Sequence, residues 1–297
     1  MSSIYVFPGQ GSQAVGMGHD LYENNQNARQ VFDTADSILG EKLSDIIFNG
    51  PMETLTLTAN VQPAILITSV AMFRAANPAT PDYVAGHSLG EYTALCIAGS
   101  LSLEDAVKLV RLRGQEMQAA VPNGQGAMAV ILGMDIDALK NVCAIAEHET
   151  GDVCDIANDN CDGQIVISGA TKAIERAMEI AKEHGAKRAM KLPLSVPPHS
   201  RLMAPVVEKM KIALDNIEIK KPIVPLISNK TCQPMTDIDE IKESLIYQIT
   251  HGVRWRESVL NMVDLGITDL TEIGPGTALI GLVSRITDKI TTHKLEI

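Results

Sequence analysis

The pentapeptide GHSLG at residues 86–90 constrains the fold more than any other stretch of this sequence. It fits the pattern G-x-S-x-G, with a short apolar segment (82–86) before it and a helical pattern (91–99) after it. In that setting the two glycines permit a tight turn from a strand into a helix, and the turn exposes a serine hydroxyl at its tip. The context favours a nucleophile elbow with Ser88 at its tip over a chance match to a short pattern.

The outer parts of the chain alternate between short apolar segments and helical patterns. The helical stretches up to about residue 76 are expected to break near Gly50-Pro51 and Pro63. Such alternation predicts an α/β fold, with a mostly parallel sheet flanked by helices on both faces. The apolar segments of strand length are residues 4–7, 82–86, 223–228 and 267–273.

The middle of the chain has a different order of elements. Strand patterns at 127–133, 152–158, 164–169 and 187–192 alternate with helical patterns at 135–146 and 171–185. The resulting βαββαβ order is the ferredoxin-like arrangement. We therefore expect residues 126–193 to form a small inserted domain, and residues 1–125 and 194–297 to form the large catalytic domain.

Charge and composition exclude several classes of partner. The chain of 297 residues carries a formal net charge of -11, which argues against nucleic acid or an anionic membrane as its main partner. No stretch approaches the ~20 apolar residues of a membrane span, and the N-terminus lacks the pattern of a signal peptide. The five cysteines form no CxxC and no zinc spacing. These features predict a cytoplasmic protein with reduced thiols and no bound metal.

The helical pattern at 103–118 contains an arginine on the wrong face. Ser102 can cap this helix, and its polar face carries Arg111. Arg113, however, follows Val110 by three residues and therefore belongs to the apolar face. A buried guanidinium is costly unless an anion meets it, so this position predicts an anionic partner.

A serine nucleophile needs a base and an oxyanion hole. Among seven histidines, His199 stands out because two prolines precede it and fix the backbone; an ordinary histidine at a helix start is the competing interpretation. The glycine-rich loop 7–13 also fits part of a dinucleotide fingerprint, but its expected acidic partner, Asp33, lies in a helical pattern. We therefore predict that the loop lends a backbone amide to an oxyanion hole and that no cofactor is bound.

Seven motifs occur together in an order that resembles the malonyl-CoA:acyl carrier protein transacylases of bacterial fatty-acid synthesis. The resemblance runs from residue 4 to about residue 290. It implies a hydrolase-like α/β domain with an inserted ferredoxin-like domain. The motifs are FPGQGSQ (7–13), QPA (62–64), GHSLGEY (86–92), RG (113–114), GQIVISG (163–169), the proline-flanked His199 and GPG (274–276).

The resemblance implies roles for five catalytic positions. Ser88 would be the nucleophile and His199 the general base. The backbone carbonyl of Gln248 would orient the histidine, so no third acid is expected. Gln10 and Leu89 would supply the amides of the oxyanion hole.

Three further positions would contact the substrate. By resemblance, Arg113 would bind the malonyl carboxylate, and Asn160 would face the site from the small domain. The residue before the catalytic histidine helps to select the acyl group, and bulky phenylalanine is frequent there in malonyl-specific members. Here it is Pro198, which puts the exclusion of methylmalonyl in doubt.

The implied reaction is ping-pong transfer of malonyl from malonyl-CoA to the phosphopantetheine thiol of acyl carrier protein through malonyl-Ser88. A serine thioesterase or esterase, a trans-acting polyketide acyltransferase and a non-enzymatic scaffold are the alternatives. We expect a monomer. Acyl carrier proteins are acidic, so we predict that they dock on a basic surface, against the alternative of an ordinary solvated charged face. The predicted docking residues are Lys187, Arg188 and Lys191, with Lys182, Arg201, Lys209 and Lys211 nearby.

Overall fold

The structure, a computed structural model, describes residues 2–194 and 196–297. Met1 and Ser195, both in the predicted large domain, lie outside the described residues. The strands are β1 (Ser2–Phe7), β2 (Tyr83–Gly86), β3 (Gly126–Leu132), β4 (Cys154–Cys161), β5 (Gln164–Ala170), β6 (Arg188–Lys191), β7 (Leu226–Ile227), β8 (Pro234–Met235), β9 (Ile267–Glu272) and β10 (Thr291–Lys294). The helices are α1 (His19–Asn24), α2 (Gln26–Leu39), α3 (Leu43–Asn49), α4 (Met52–Thr56), α5 (Thr58–Ala76), α6 (Gly90–Ile97), α7 (Leu103–Ala120), α8 (Ile136–Thr150), α9 (Thr171–Glu183), α10 (Ala204–Asp215), α11 (Ile238–Thr250), α12 (Trp255–Asp264) and α13 (Ala278–Ile286).

The larger sheet has the order β10-β9-β1-β2-β7-β8. Every pairing in it is parallel except that of β7 with β8. Buried apolar side chains cover both of its faces, as expected when helices pack on each side of a parallel sheet. The predicted α/β class with a mostly parallel sheet is thereby confirmed.

The smaller sheet is antiparallel, with the order β4-β5-β3-β6. Alternate residues of β3 point to opposite faces: Ala129 and Ile131 pack against α8 and α9, whereas Met128 belongs to a small apolar cluster on the other face. The βαββαβ order is confirmed. A separate sheet with its own core supports our proposal that residues 126–193 form an inserted domain.

Helix α5 corrects the prediction of a break near Pro63. The helix begins at Thr58 and continues through Pro63 to Ala76. Proline has no N–H for the carbonyl four residues earlier, so the oxygen of Ala59 needs another donor. Arg111 Nη1 of α7 supplies it at 2.9 Å, which allows the helix to continue.

The sequence analysis also missed two strands. β8 has two residues, and β10 is the polar stretch TTHK, so neither shows an apolar run. Each lies at an edge of the larger sheet, where few side chains are buried. An apolar run, the pattern that indicates a buried strand, is therefore not required there. The predicted strand at 223–228 is present only as β7, Leu226–Ile227.

Candidate active site

Ser88 lies in a sharp turn between β2 and α6, with the left-handed backbone angle φ 53°. The turn is possible only because two glycines flank it. A Cβ on Gly86 would lie 1.9 Å from the carbonyl carbon of Gly90, and a Cβ on Gly90 would lie 2.0 Å from the oxygen of Phe7. The predicted strand–turn–helix geometry around Ser88 is therefore present.

Asn229, in the loop after β7, holds this turn in place. Its Oδ1 accepts a hydrogen bond from the Ser88 amide at 3.1 Å, and its Nδ2 donates to the oxygen of Gly86 at 2.7 Å. These two hydrogen bonds hold the strained backbone of Ser88 against the loop that follows the neighbouring strand β7. The sequence analysis did not identify Asn229, because an asparagine in a loop gives no local sign of such a contact.

His199 lies beside the serine. Its Nε2 is 2.8 Å from Ser88 Oγ, and its Nδ1 is 2.6 Å from the backbone oxygen of Gln248. A carbonyl can only accept, so Nδ1 carries the hydrogen and Nε2 is left to accept the serine proton. A second carbonyl, that of His251, lies 3.2 Å from the same Nδ1. The structure therefore brings together Ser88, His199 and the Gln248 carbonyl in the arrangement that the resemblance implies.

Burial keeps the imidazole of His199 neutral. Loss of solvation, and then the charge of Arg113, lower the pKa of His199 to about 3. The backbone carbonyl bonds oppose this shift but do not outweigh it. A neutral Nε2 is the form that can take a proton from serine.

This shift predicts an acylation rate with little dependence on pH in acid solution. The base must be neutral, so a lower pKa moves the loss of activity to lower pH. An ordinary histidine would lose about tenfold per pH unit below roughly 6.5, whereas here kcat/KM for an acyl group without a carboxylate, which does not depend on the charges around Arg113, should stay nearly level from about pH 8 to pH 5. Acylation at Ser88 followed by rapid quench at each pH provides the measurement. A decline centred near pH 6.5 would contradict the buried, neutral state of His199.

Arg113 is 1 % exposed and reaches the nucleophile directly from α7. Its Nη2 donates to Ser88 Oγ at 3.1 Å and to Gln248 Oε1 at 2.9 Å, and its Nη1 donates to Gln62 Oε1 at 2.7 Å. The Tyr92 ring lies 5.6 Å from the guanidinium carbon. The predicted capping by Ser102 and the placement of Arg113 on the buried face of the helix both agree with the structure.

The guanidinium donates only to neutral acceptors within the described part of the chain, and its Nε is buried and has no acceptor there. The anion that its position predicts is therefore not a side chain in direct contact. A carboxylate that entered the cavity and displaced the contact of Nη2 with Ser88 Oγ could accept from Nη2 and a neighbouring N–H in the bidentate geometry that arginine favours.

The loop after β1 adjoins the elbow. Phe7 pairs with Gly86 in the parallel register, so residues 8–12 and 87–89 leave the sheet side by side. The backbone N–H groups of Gln10 and Leu89 have no acceptor among residues 2–194 and 196–297. Two free amides beside a nucleophile suit an oxyanion hole, and we propose that role for them.

A cavity of about 370 Å³ opens over these groups and is lined from both sheets. Asn160 and Pro198 lie in its wall, as the resemblance implies. His87 also lines the cavity, which the sequence analysis did not predict, and its Nε2 is 2.9 Å from Asn160 Oδ1. The apolar part of the wall comes from both domains: Met128, Val130, Val166, Leu192, Leu194, Leu279 and Leu282.

The predicted docking residues are only partly free. Lys187, Arg188 and Lys191 are exposed, but Lys191 pairs with Glu175 at 2.9 Å. Arg201 and Lys209 also have carboxylate partners. Of the three main docking residues, Lys187 and Arg188 form no ion pair within the described residues, and the same is true of the nearby Lys182 and Lys211. The docking proposal therefore depends mainly on Lys187 and Arg188.

Two kinds of feature are absent from the described residues. No helix between residues 2 and 297, Ser195 aside, is long and apolar enough to cross a membrane. The same residues contain no group of three histidine, cysteine or acidic side chains placed to hold a metal ion.

The family model of the acyl transferase domain matches residues 4–289 of this chain. The chain belongs to this family. The resemblance stated from its motifs is confirmed, and the protein is an acyltransferase.

Relatives of this acyltransferase share most of its length. The malonyl CoA-acyl carrier protein transacylase of Bacillus subtilis is 52% identical over 295 residues, covering 98% of this chain and 93% of the relative. That of Haemophilus influenzae is 45% identical, covering 95% and 91%.

Solved structures agree closely with the acyltransferase fold. An acyl-carrier-protein-S-malonyltransferase from Bartonella henselae superposes with a TM-score of 0.97 at 47% identity, over 100% of this chain and 96% of that one. A malonyl-transacylase solved in complex with a type II PKS acyl-carrier protein has a TM-score of 0.96 at 39% identity, over 100% and 97%. The hydrolase-like fold with a separate small antiparallel sheet is thus shared with these enzymes.

Proposed function

We propose that this acyltransferase moves a malonyl group from malonyl-CoA to the phosphopantetheine thiol of acyl carrier protein. The observation that carries the proposal is the buried guanidinium of Arg113. Its Nη2 is 3.1 Å from Ser88 Oγ, and no carboxylate of the described residues contacts it. Such a site favours an acyl group with a free carboxylate. The names of the close relatives support the same substrates.

The first half-reaction would load the serine. As Ser88 Oγ attacks the thioester carbon, its proton passes to His199 Nε2 across the 2.8 Å hydrogen bond. The amides of Gln10 and Leu89 would hold the oxyanion, and losing one such donor typically costs about 3 kcal/mol. The carbon–sulfur bond then breaks, and His199 returns the proton to the CoA sulfur.

The second half-reaction would run the same steps on the carrier protein. His199 takes the proton of the pantetheine thiol, and the sulfur attacks malonyl-Ser88. The bond to Ser88 Oγ breaks, and the serine recovers its proton from His199. Each step uses groups of this chain and the two thiols. Three statements remain predictions: the enzyme needs no cofactor, it acts as a monomer, and it works in the cytoplasm.

Water is the competing acceptor, and its use would make the protein a thioesterase. The apolar wall formed by Met128, Val130 and Val166 disfavours this, because it suits the stem of a pantetheine arm better than a hydrolytic water.

A polyketide acyltransferase is the second candidate. It is favoured by the similar transacylase in complex with a type II PKS acyl-carrier protein, and the two pathways share the same chemistry.

Mass spectrometry of the intact enzyme separates transfer from hydrolysis. After mixing with malonyl-CoA, we expect one malonyl group on Ser88 that persists and is discharged by added holo acyl carrier protein. Acetyl-CoA is the matched control and should load poorly. Rapid appearance of free malonate without carrier protein would instead indicate a thioesterase.

Pro198 bears on the strictness of acyl selection. It lines the cavity next to His199 and is smaller than phenylalanine, so the α-methyl of methylmalonyl meets less bulk there. We propose that the enzyme tolerates methylmalonyl better than a phenylalanine variant would. Competition between malonyl-CoA and methylmalonyl-CoA, for the native enzyme and for Pro198→Phe, tests this.

Charge reversal tests the proposed docking residues. The double variant K187E/R188E should weaken transfer to carrier protein about tenfold at low salt and leave loading from malonyl-CoA unchanged, because charged surface contacts act mainly on encounter. The control K108E/K220E reverses two exposed lysines that already have carboxylate partners. Equal effects of the two double variants, or equal effects on both half-reactions, would contradict docking at Lys187 and Arg188.

A further inference from the structure

Glu91 is a buried acid directly behind the elbow, and the proposed mechanism does not use it. It lies in the first turn of α6 with 0% exposure. A buried carboxylate is costly unless it is hydrogen-bonded. Three donors meet it: the Asn229 amide at 3.2 Å, Ser244 Oγ at 2.8 Å and Gln248 Nε2. Burial raises the pKa of Glu91 to about 7, and these hydrogen bonds to the carboxylate offset part of that rise.

The side chain of Gln248 connects this carboxylate to the substrate-binding arginine. Its Nε2 donates to Glu91 Oε2, while its Oε1 accepts from Arg113 Nη2 at 2.9 Å. An amide can satisfy both neighbours in only one orientation, because a flip would turn N–H groups toward the guanidinium. Glu91 therefore determines which end of Gln248 faces Arg113.

The amide of Gln248 separates the Glu91 carboxylate from the Arg113 guanidinium, and this separation keeps Arg113 available to a substrate. A carboxylate in direct contact would neutralise Arg113 but would also occupy the N–H groups that an incoming carboxylate needs. A carboxylate one amide away still stabilises the buried cation, since Coulomb attraction in a poorly solvated interior reaches beyond contact. The three hydrogen-bond acceptors of Arg113 are neutral, which agrees with a guanidinium whose charge is balanced from beyond direct contact.

We propose that Glu91 is a positioning residue for acyl selection, whose carboxylate, held behind Gln248, keeps Arg113 charged, oriented and open to a carboxylate-bearing acyl group. This inference rests on the proposed function, because it assumes that Arg113 binds the acyl carboxylate. Glu91 acts through Gln248 and touches no reacting atom.

The variant Glu91→Gln removes the charge and keeps the shape. Its new NH₂ group must face either Gln248 Nε2 or the backbone N–H of Asn229. Both of these are donors, so one donor is left facing another donor without an acceptor between them. We expect kcat/KM for loading with malonyl-CoA to fall roughly 10- to 100-fold, the usual range for a lost charged hydrogen bond. Loading with acetyl-CoA, which has no carboxylate for Arg113, should change less than about threefold. An equal fall for both substrates would show that Glu91 only supports the elbow and would overturn the proposal.

The double variant E91Q/Q248E carries the test if the single variant fails to fold. It restores every donor–acceptor pair and the net charge but moves the carboxylate into contact with Arg113. We expect thermal stability to recover, while the ratio of kcat/KM for malonyl-CoA to kcat/KM for acetyl-CoA stays below that of the native enzyme. Full recovery of malonyl loading would mean that the spacing of the charge is irrelevant, which would also overturn the proposal.

Arg113→Ala separates this inference from the function on which it rests. If that variant keeps the native preference for malonyl over acetyl, the proposed function of Arg113 fails. If it loses the preference while Glu91→Gln retains it, only the role of Glu91 fails.

Discussion

Ser88→Ala is expected to lose the acyl-enzyme and to lower malonyl transfer roughly 10⁴-fold or more, the range seen when a catalytic nucleophile is removed. The reason is that no other hydroxyl hydrogen-bonds to His199 Nε2 within the described residues. Intact mass spectrometry after mixing with malonyl-CoA detects the missing adduct, and a carrier-protein acylation assay gives the rate. Thermal unfolding should shift little, since the removed atom is one hydroxyl oxygen.

His199→Ala is the matched control for Ser88→Ala. It retains the nucleophile and removes the base, so the same adduct should form slowly and remain detectable after long incubation. The two variants therefore differ in the presence of the adduct and not only in rate. An adduct on the Ser88→Ala enzyme would show that another side chain is the nucleophile and would contradict the mechanism.

Arg113→Ala is expected to lower kcat/KM for malonyl-CoA about 10³-fold, within the range for truncating one partner of a buried charge pair. Acetyl-CoA should lose far less, because its acyl group has no carboxylate to leave unpaired. The ratio of the two kcat/KM values is the decisive measurement. It cancels losses common to both substrates, such as the missing contact of Arg113 with Ser88 Oγ.

Arg111→Ala is the control for Arg113→Ala, although not for the reason that the helical pattern suggests. Its side chain is only 12% exposed; it donates to Ala59 O and Asn60 Oδ1 and pairs with Glu41. The variant should lose roughly 1–3 kcal/mol of unfolding free energy, as for a broken charged hydrogen bond, and keep the malonyl preference. Equal shifts of acyl preference in both variants would contradict our assignment of the carboxylate to Arg113.

The elbow could be predicted because its signals are local. Two glycines, a serine and the flanking apolar and helical patterns all lie within residues 82–99, and steric limits on the turn require them there. Arg113 could also be predicted, since the helical repeat places it on the buried face of α7. Helix α5 was predicted wrongly near Pro63, because the N–H group that donates to the free carbonyl of Ala59 belongs to Arg111 of another helix.

The network behind the nucleophile could not be predicted from local patterns. Gln62, Glu91, Asn229 and the side chain of Gln248 come from four separate segments, and each gains its role only from a partner far along the chain. One partial signal was present. Glu91 is the only charged residue in the otherwise apolar stretch EYTALCIA, and a lone acid there indicates a buried partner.

The missing N–H of Pro63 also helps to fix the position of Arg113. The Ala59 oxygen that it leaves free binds Arg111, and three residues further along α7 Gly114 packs so closely on Thr58 that a Cβ would lie 2.4 Å from its oxygen. These two contacts lie on either side of Arg113, and each of them opposes sliding of α7 along α5. A slide of one residue would move the guanidinium about 1.5 Å along the helix axis. The depth at which Arg113 would hold a substrate carboxylate therefore depends on α5, a helix whose own hydrogen-bond pattern is incomplete.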